Sequence, residues 1–147
     1  MEQDLQVQSM PAGRPVRSGF VTSNFGHRKD PLNGKRSFHR GVDFAGKRGT
    51  EILAVADGLV TLSETSRGSG RTVAITQANG LVTRYAHNQK LVVKVGDLVE
   101  KGQVIATLGS SGRATGPHLH FEVLKNGAQI NPMQFAGVKQ RQQKDDG

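Results

Sequence analysis

The chain has 147 residues, about one domain's worth, of which 35% are hydrophobic, with no Trp and no Cys. The missing cysteines exclude a disulfide scaffold, a thiolate zinc site, a cysteine nucleophile and an iron–sulfur cluster. A net charge of +8, from 20 Lys and Arg against 12 Asp and Glu, favours anionic partners such as nucleic acid, acidic lipid or an acidic polymer, without choosing among them.

No apolar run approaches the roughly 20 residues that span a bilayer, so no transmembrane segment is expected. The opening MEQDLQVQSMPAGRPVRSG carries no apolar signal region. Residues 1–18, with Pro11, Gly13 and Pro15, read as an extended lead-in or linker remnant. Residues 19–138 form the body. Residues 139–147 (KQRQQKDDG) are polar and low in complexity, which predicts a disordered tail.

Within the body, helix signals are weak and strand signals are strong. Ile52–Leu62 holds two β-rich runs around Asp57-Gly58. Arg71–Gln77 and Leu81–His87 flank Asn79-Gly80, the strongest short hairpin signal. Leu91–Val95, Val104–Leu108 and His118–Leu124 follow, and Asn126-Gly127 marks another turn. Short strands with regular Gly, Asn and Asp punctuation predict a mostly β fold, an antiparallel sandwich or barrel-like sheet with long Gly-rich loops. Gly49–Leu62 and Gly96–Leu108 echo each other loosely, each with a Gly-led start and a DG or KG step before a β run. The echo is similar to the two halves of biotinyl/lipoyl-type β-sandwiches.

The five histidines are His27, His39, His87, His118 and His120. Any one of them alone reads as an ordinary polar side chain. Strand period two, however, puts His118, His120 and Glu122 on one face and Leu119, Phe121 and Val123 on the other. Two imidazoles beside a carboxylate are costly to pack and suit a metal site or acid–base work. His39 and Asp43, four apart, also share a face. Zinc accepts imidazole nitrogen and carboxylate oxygen, and a catalytic site keeps three protein ligands and one open position. His39, Asp43 and one of His118 or His120 would supply such a set. His87 closes the run Val82–His87 as a candidate acid–base or oxyanion-stabilising group.

Phe25-Gly26-His27-Arg28, His39-x-x-x-Asp43, Tyr85-Ala86-His87 and Gly116-Pro117-His118-Leu119-His120-Phe121-Glu122 resemble, in order and spacing, the signature series of the M23 family of zinc metallopeptidases. These are the lysostaphin-like or LytM-domain peptidoglycan endopeptidases, and the likeness is greatest to Gram-negative, envelope-located members. It runs from about Gly19 to Phe135. The resemblance implies one Zn²⁺ ion held by His39, Asp43 and His120, with His87 and His118 as catalytic, non-ligand histidines. It gives His27 no metal role, and leaves Arg28 of the FGxR pattern either structural or substrate-binding. It implies that zinc activates a water, that His118 takes its proton and passes it to the leaving amine, and that His87 donates to the oxyanion. Those two roles are exchangeable. The implied substrate is the peptide cross-link of peptidoglycan, the D-Ala–diaminopimelate type being favoured over glycyl-glycine. The implied location is the periplasm or extracellular envelope, with a possible envelope regulator, and with this chain as part of a longer exported or anchored protein.

The Gly-rich segments Arg67–Arg71 and Gly109–Gly116 read either as walls of a groove for an extended peptide or as plain turns. A biotinyl carrier would explain Val95–Gln103, but no acceptor-lysine motif is present. A nucleic-acid binder would interleave aromatics with its basic residues, and only 5% of this chain is aromatic, so nucleic acid is not an expected partner. The serious alternative is a non-catalytic or gated domain of the same fold that binds the wall or activates another hydrolase. Retention of all five site positions argues against it.

Overall fold

A computed structural model describes residues 14–29, 34–78, 80–112 and 116–132. The expected tail at 139–147 lies outside the described residues, as do residues 1–13 of the expected lead-in. Twelve strands follow in chain order: β1 (Phe20–Ser23), β2 (Gly26–Lys29), β3 (Arg36–His39), β4 (Val42–Ala45), β5 (Glu51–Leu53), β6 (Gly58–Ser66), β7 (Gly70–Thr76), β8 (Leu81–Leu91), β9 (Leu98–Val99), β10 (Val104–Leu108), β11 (His118–Lys125) and β12 (Ala128–Ile130). Ten of them form one sheet whose main path runs β1-β4-β11-β8-β7-β6-β9, and β2 and β3 make a separate ribbon. Every strand pairing among the described residues is antiparallel. The fold is thus almost entirely β, as the strand punctuation predicts. Among the described residues, no helix is long and apolar enough to cross a membrane.

Alternation along the central strands separates core from site. In β4, Val42 and Phe44 are buried while Asp43 and Ala45 are half-buried on the other face. In β11, Leu119, Phe121 and Val123 are fully buried, and His118 and His120 face the opposite way. Phe44 and Tyr85 each meet Phe121 ring to ring across β4, β8 and β11, and Ile52, Ile75, Ile105 and Leu108 are other large, fully buried side chains of the core. Each such side chain contributes about 1.5–3 kcal/mol by leaving water.

The internal echo has a structural counterpart. β5 and β6 lie in the first echo segment, and β9 and β10 in the second. β5 pairs with β10 and β6 pairs with β9, so the two segments cross-link each other. The links between them are also polar: Ala54 N–H donates to Gln103 O, Gly102 N–H to Ala54 O, and Lys101 N–H to the Asp57 carboxylate. Ahead of β1, Leu53 N–H donates to Pro15 O, Arg17 N–H donates to Glu51 O, and buried Val16 bridges to Ile52. The chain at 15–17 therefore lines the edge of β5.

Leu91–Val95 departs from the expectation of a strand. Only Leu91 belongs to one, as the end of β8. Asp97 captures the chain instead: its carboxylate accepts Lys94 N–H at 2.9 Å, and its own N–H donates to Lys94 O. Gly96 at φ +99° completes this turn. Local side-chain bonding of this kind competes with a β ladder. At Asn126-Gly127 both residues have positive φ (51° and 86°), the two-residue turn joining β11 to β12.

Tyr85 is wholly buried, and its hydroxyl accepts the Val55 N–H at 3.1 Å. Burial pushes its own ionisation up to about 12. Tyr85→Phe keeps the packing and strands that N–H, which costs about 1–3 kcal/mol. The expected result is a lower urea midpoint with an unchanged m-value.

Candidate active site

The site assembles where β4, β11 and β8 run side by side. His120 stands opposite Asp43 on one flank and Ala86 on the other. His39 arrives from the ribbon, at the end of β3. One ligand-type atom from each of His39, Asp43 and His120 lies within 4.8 Å of the other two. His120 Nδ1 sits 2.8 Å from Asp43 Oδ1, and His39 Nε2 sits 3.3 Å from Asp43 Oδ2. Both imidazoles are anchored from behind. His39 Nδ1–H donates to Asn24 O at 2.9 Å, and His120 Nε2–H donates to Glu122 Oε2 at 2.8 Å. Each ring thus turns its remaining nitrogen toward Asp43.

The electrostatics follow from that crowding. Burial alone would raise the Asp43 carboxyl, but its hydrogen bonds to His120 and His39 and their charge hold it well below the usual carboxylate range. Burial would likewise lower His120, but its bonds to Asp43 and Glu122 outweigh this and raise it to about 9. In the metal-free protein, His120 is accordingly an imidazolium clamped between two carboxylates.

His87 and His118 form a second pair. Their ring centroids are 4.9 Å apart, and His87 lies 6.3 Å from the His120 ring. His87 occupies a bulge. Between the paired positions Arg71↔Asn88 and Val73↔Tyr85, β7 supplies only Thr72 while β8 supplies both Ala86 and His87. The bulged residue takes φ +69°, a strained value for a non-glycine residue. Bulges of this kind re-aim side chains beside active sites. Here His87 N–H donates to Ser69 O, and its Nδ1–H donates to Ser111 O at 2.7 Å. Burial lowers the His87 pKa, and the nearby His118 and His120 add to this against the Ser111 carbonyl. His118 Nδ1–H donates to Gly116 O at 3.0 Å.

The Gly-rich segments interlock where they are described. Ser111 Oγ donates to Asn88 O at 2.6 Å and accepts Arg71 N–H at 3.0 Å. A Cβ on Gly112 would strike the Gly68 carbonyl and the Gly70 nitrogen. The two loops thereby form one support behind His87. A cleft of about 280 Å³ opens beside the histidines, lined by Thr22, Asp43, Ala45, Gly116, Pro117 and His118. The 109–112 loop contributes no lining residue to that cleft; Gly116 does.

All five expected site positions therefore converge. His27 does not join them; it packs edge-on against Phe38, its ring centroid 5.0 Å away. Arg28 pairs with Ser37 in the ribbon. Glu122 is legible in the sequence as a face-mate of His118 and His120, but the anchoring carbonyls of Asn24, Ser111 and Gly116 leave no signal in side-chain identity.

Comparison with known proteins gives a matching picture. The model of "Peptidase family M23" matches residues 37–132. The chain is 45% identical over 130 residues to the peptidoglycan DD-endopeptidase ShyC of Vibrio cholerae, covering 82% of this chain and 30% of that protein. Among solved structures, a zinc containing peptidase from Vibrio cholerae superposes with a TM-score of 0.74 at 38% identity, over 86% of this chain and 39% of the other. The catalytic domain of lysostaphin from Staphylococcus simulans superposes with a TM-score of 0.70 at 33% identity, over 79% of this chain and 90% of that one. The chain spans less than a third of the length of curated relatives such as ShyC.

Gly41 has no room for a side chain: a Cβ there would collide with the Phe121 carbonyl and press to 2.9 Å from His120 Cε1 and 3.0 Å from Glu122 Cγ. Gly41→Ala should cost about 1–3 kcal/mol of stability by overpacking, read in a denaturant titration. The charge arrangement makes stability depend on pH as well. Because the folded state raises His120 from 6.5 to about 9, its stabilisation is complete below about pH 6.5 and is lost as pH rises through about 9. His87, lowered on folding, acts with the opposite sign and below its ordinary value. The melting temperature of the metal-free protein should fall across pH 6.5–9, and His120→Asn should flatten that decline.

Proposed function

The chain belongs to peptidase family M23, and from that premise we propose that it is a zinc-dependent endopeptidase hydrolysing the peptide cross-links of bacterial peptidoglycan. The bond proposed is the D-Ala–diaminopimelate type, ahead of glycyl-glycine. The similarity to a relative named as a peptidoglycan DD-endopeptidase supports that order. Residues 19–138 are the proposed catalytic unit. The proposed location is the cell envelope, in the periplasm or outside the cell.

The observation that carries the reading is the His39–Asp43–His120 cluster with its tautomers set from behind. The donor set fits zinc: two imidazole nitrogens and one carboxylate oxygen converge, and three protein ligands leave a position open for catalysis. Asn24 O and Glu122 withdraw the far nitrogens as donors, which leaves His39 Nε2 and His120 Nδ1 as the ligating atoms. When bound, zinc supplies Lewis-acid polarisation of a carbonyl and lowers the pKa of water from about 15.7 towards 7.

The chain's own residues do the rest. His118 is the proposed general base. Its Nδ1 proton is held by Gly116 O, so Nε2 is the atom that takes a proton from the attacking water and returns it to the leaving amine nitrogen. His87 is the proposed donor to the oxyanion. Ser111 O holds its Nδ1 proton, so donation requires a second proton at Nε2. Burial lowers the His87 pKa and so favours the singly protonated ring, and the two histidines are proposed with exchangeable roles. The cleft beside His118, walled by Thr22, Ala45, Gly116 and Pro117, suits a small side chain next to the scissile bond. Net charge +8 draws the protein to an anionic wall, with binding that weakens as salt rises.

The test is digestion of purified cross-linked muropeptides, read by mass spectrometry, with chelator and zinc add-back. Conversion of dimers to monomers should stop with chelator and return with zinc, and the products name the bond. His118→Ala should keep zinc and lose about 10²–10⁴-fold in rate. His120→Ala and Asp43→Ala should lose stoichiometric zinc, and Asp43→Asn should retain it weakly. Intact dimers despite bound zinc would overturn the endopeptidase reading in favour of a gated or activating domain.

A further inference from the structure

Glu122 is 8% exposed, yet it carries a carboxylate on a strand whose alternate residues are core. Burying a carboxylate is costly unless it is paired. Its two oxygens are both occupied. Oε2 accepts His120 Nε2–H at 2.8 Å, and Oε1 lies 3.4 Å from Arg84 Nη1. Gln129 of β12 adds a side-chain hydrogen bond. The register sets these partners: Glu122 stands directly opposite Arg84 on β8, and β12 folds back along β11 with Gln129 opposite Leu124. Gly41, in the turn just before β4, closes the arrangement, and the absence of a Cβ there admits both the His120 ring and the Glu122 methylenes.

That geometry leaves His120 one way to lie. Its ring is held at Nε2 by Glu122 and presents Nδ1 to Asp43. Turning the ring over about Cβ–Cγ would put Cδ2 against Asp43 and Cε1 against Glu122, surrendering both bonds. Resting on the metal reading above, the geometry points to Glu122, braced by Arg84 and Gln129, as the positioning residue that makes His120 a ligand through Nδ1. Glu122 touches neither substrate nor metal in this assignment. It acts by pinning the ring before any ion arrives and by keeping the Nε2 proton in place when Nδ1 gives up its own to the ion, so the ion meets a ligand already oriented.

The experiment measures zinc affinity of the whole chain by competition with a chromophoric chelator, alongside the melting temperature of the metal-free protein. Loss of a carboxylate behind a ligating histidine typically costs about 10–100-fold in metal affinity, and that loss is expected for Glu122→Ala. Glu122→Gln retains an oxygen able to accept Nε2–H and should recover most of the affinity. Arg84→Ala leaves the Oε2 bond in place and should lose less than Glu122→Ala. A purely structural Glu122 would lower the melting temperature without moving the zinc dissociation constant. A folded Glu122→Ala that binds zinc as tightly as the parent overturns the assignment. Should Glu122→Ala not fold, the parent alone decides through long-range ¹H–¹⁵N spectra of zinc-loaded protein. A His120 ring protonated at Nε2 and ligated at Nδ1 is the expected pattern, and the reverse overturns the proposal. A parent that binds no zinc, or a His120→Ala variant that keeps it stoichiometrically, would instead defeat the metal reading itself.

Discussion

The site depends on one strand being held in register between two others. β11 pairs with β4 on one side and β8 on the other, and His120 is the position at which both ladders count. Side chains alternate along a strand, so a slip of one residue on either side would turn His120 into the core and bring Leu119 or Phe121 out. The burial of Leu119, Phe121 and Val123 makes that slip expensive. The same apolar residues that stabilise the sheet therefore aim the polar ones. Stability and chemistry share one strand and are separated only by which face each residue takes.

This arrangement explains why so much of the site is legible in the amino-acid sequence. The alternation in His118–Val123 is a two-residue pattern, and it correctly divides the strand into a polar face and a core face. His39 and Asp43 also meet, but not on one face of a strand: the chain between them turns from β3 of the ribbon into β4 of the large sheet. What holds the rings leaves no such trace. Asn24, Ser111 and Gly116 act through main-chain carbonyls, and any residue type supplies a carbonyl. The bulge at His87 is also invisible in composition, because it is a mismatch between two strands rather than a property of either. Leu91–Val95 reads as a strand because its residues favour one, and the Asp97 carboxylate overrides that preference locally.

Around the cluster, opposite charges order groups that would otherwise repel or wander. Asp43 is flanked by His39 and His120, and Glu122 by His120 and Arg84. These form a chain of alternating sign running inward from Arg84, which is 41% exposed, to Asp43, which is 18% exposed. No member stands buried without an opposite partner. On the far side, His87 and His118 are held by neutral carbonyls instead, and His87 is kept closer to its uncharged form. His120 and His87, in one cleft, thus experience opposite fields, His120 with a carboxylate behind its ring and His87 with a peptide oxygen.

The pairing of β4 with β11 has a consequence for how the molecule comes into being. Asp43 and His120 are 77 positions apart, and the pairings β5/β10 and β6/β9 close long loops of their own. Contacts of such high sequence separation must overcome chain-closure entropy before they return any energy, so sheets of this type fold slowly for their size. The hairpins β6–β7 and β7–β8 are local and cheap by comparison. The three candidate ligands come from three elements joined only after the long loops close. An ion would therefore meet a complete set of donors only in a nearly native chain, where it would act as a latch on a finished structure rather than as a seed for an unfinished one.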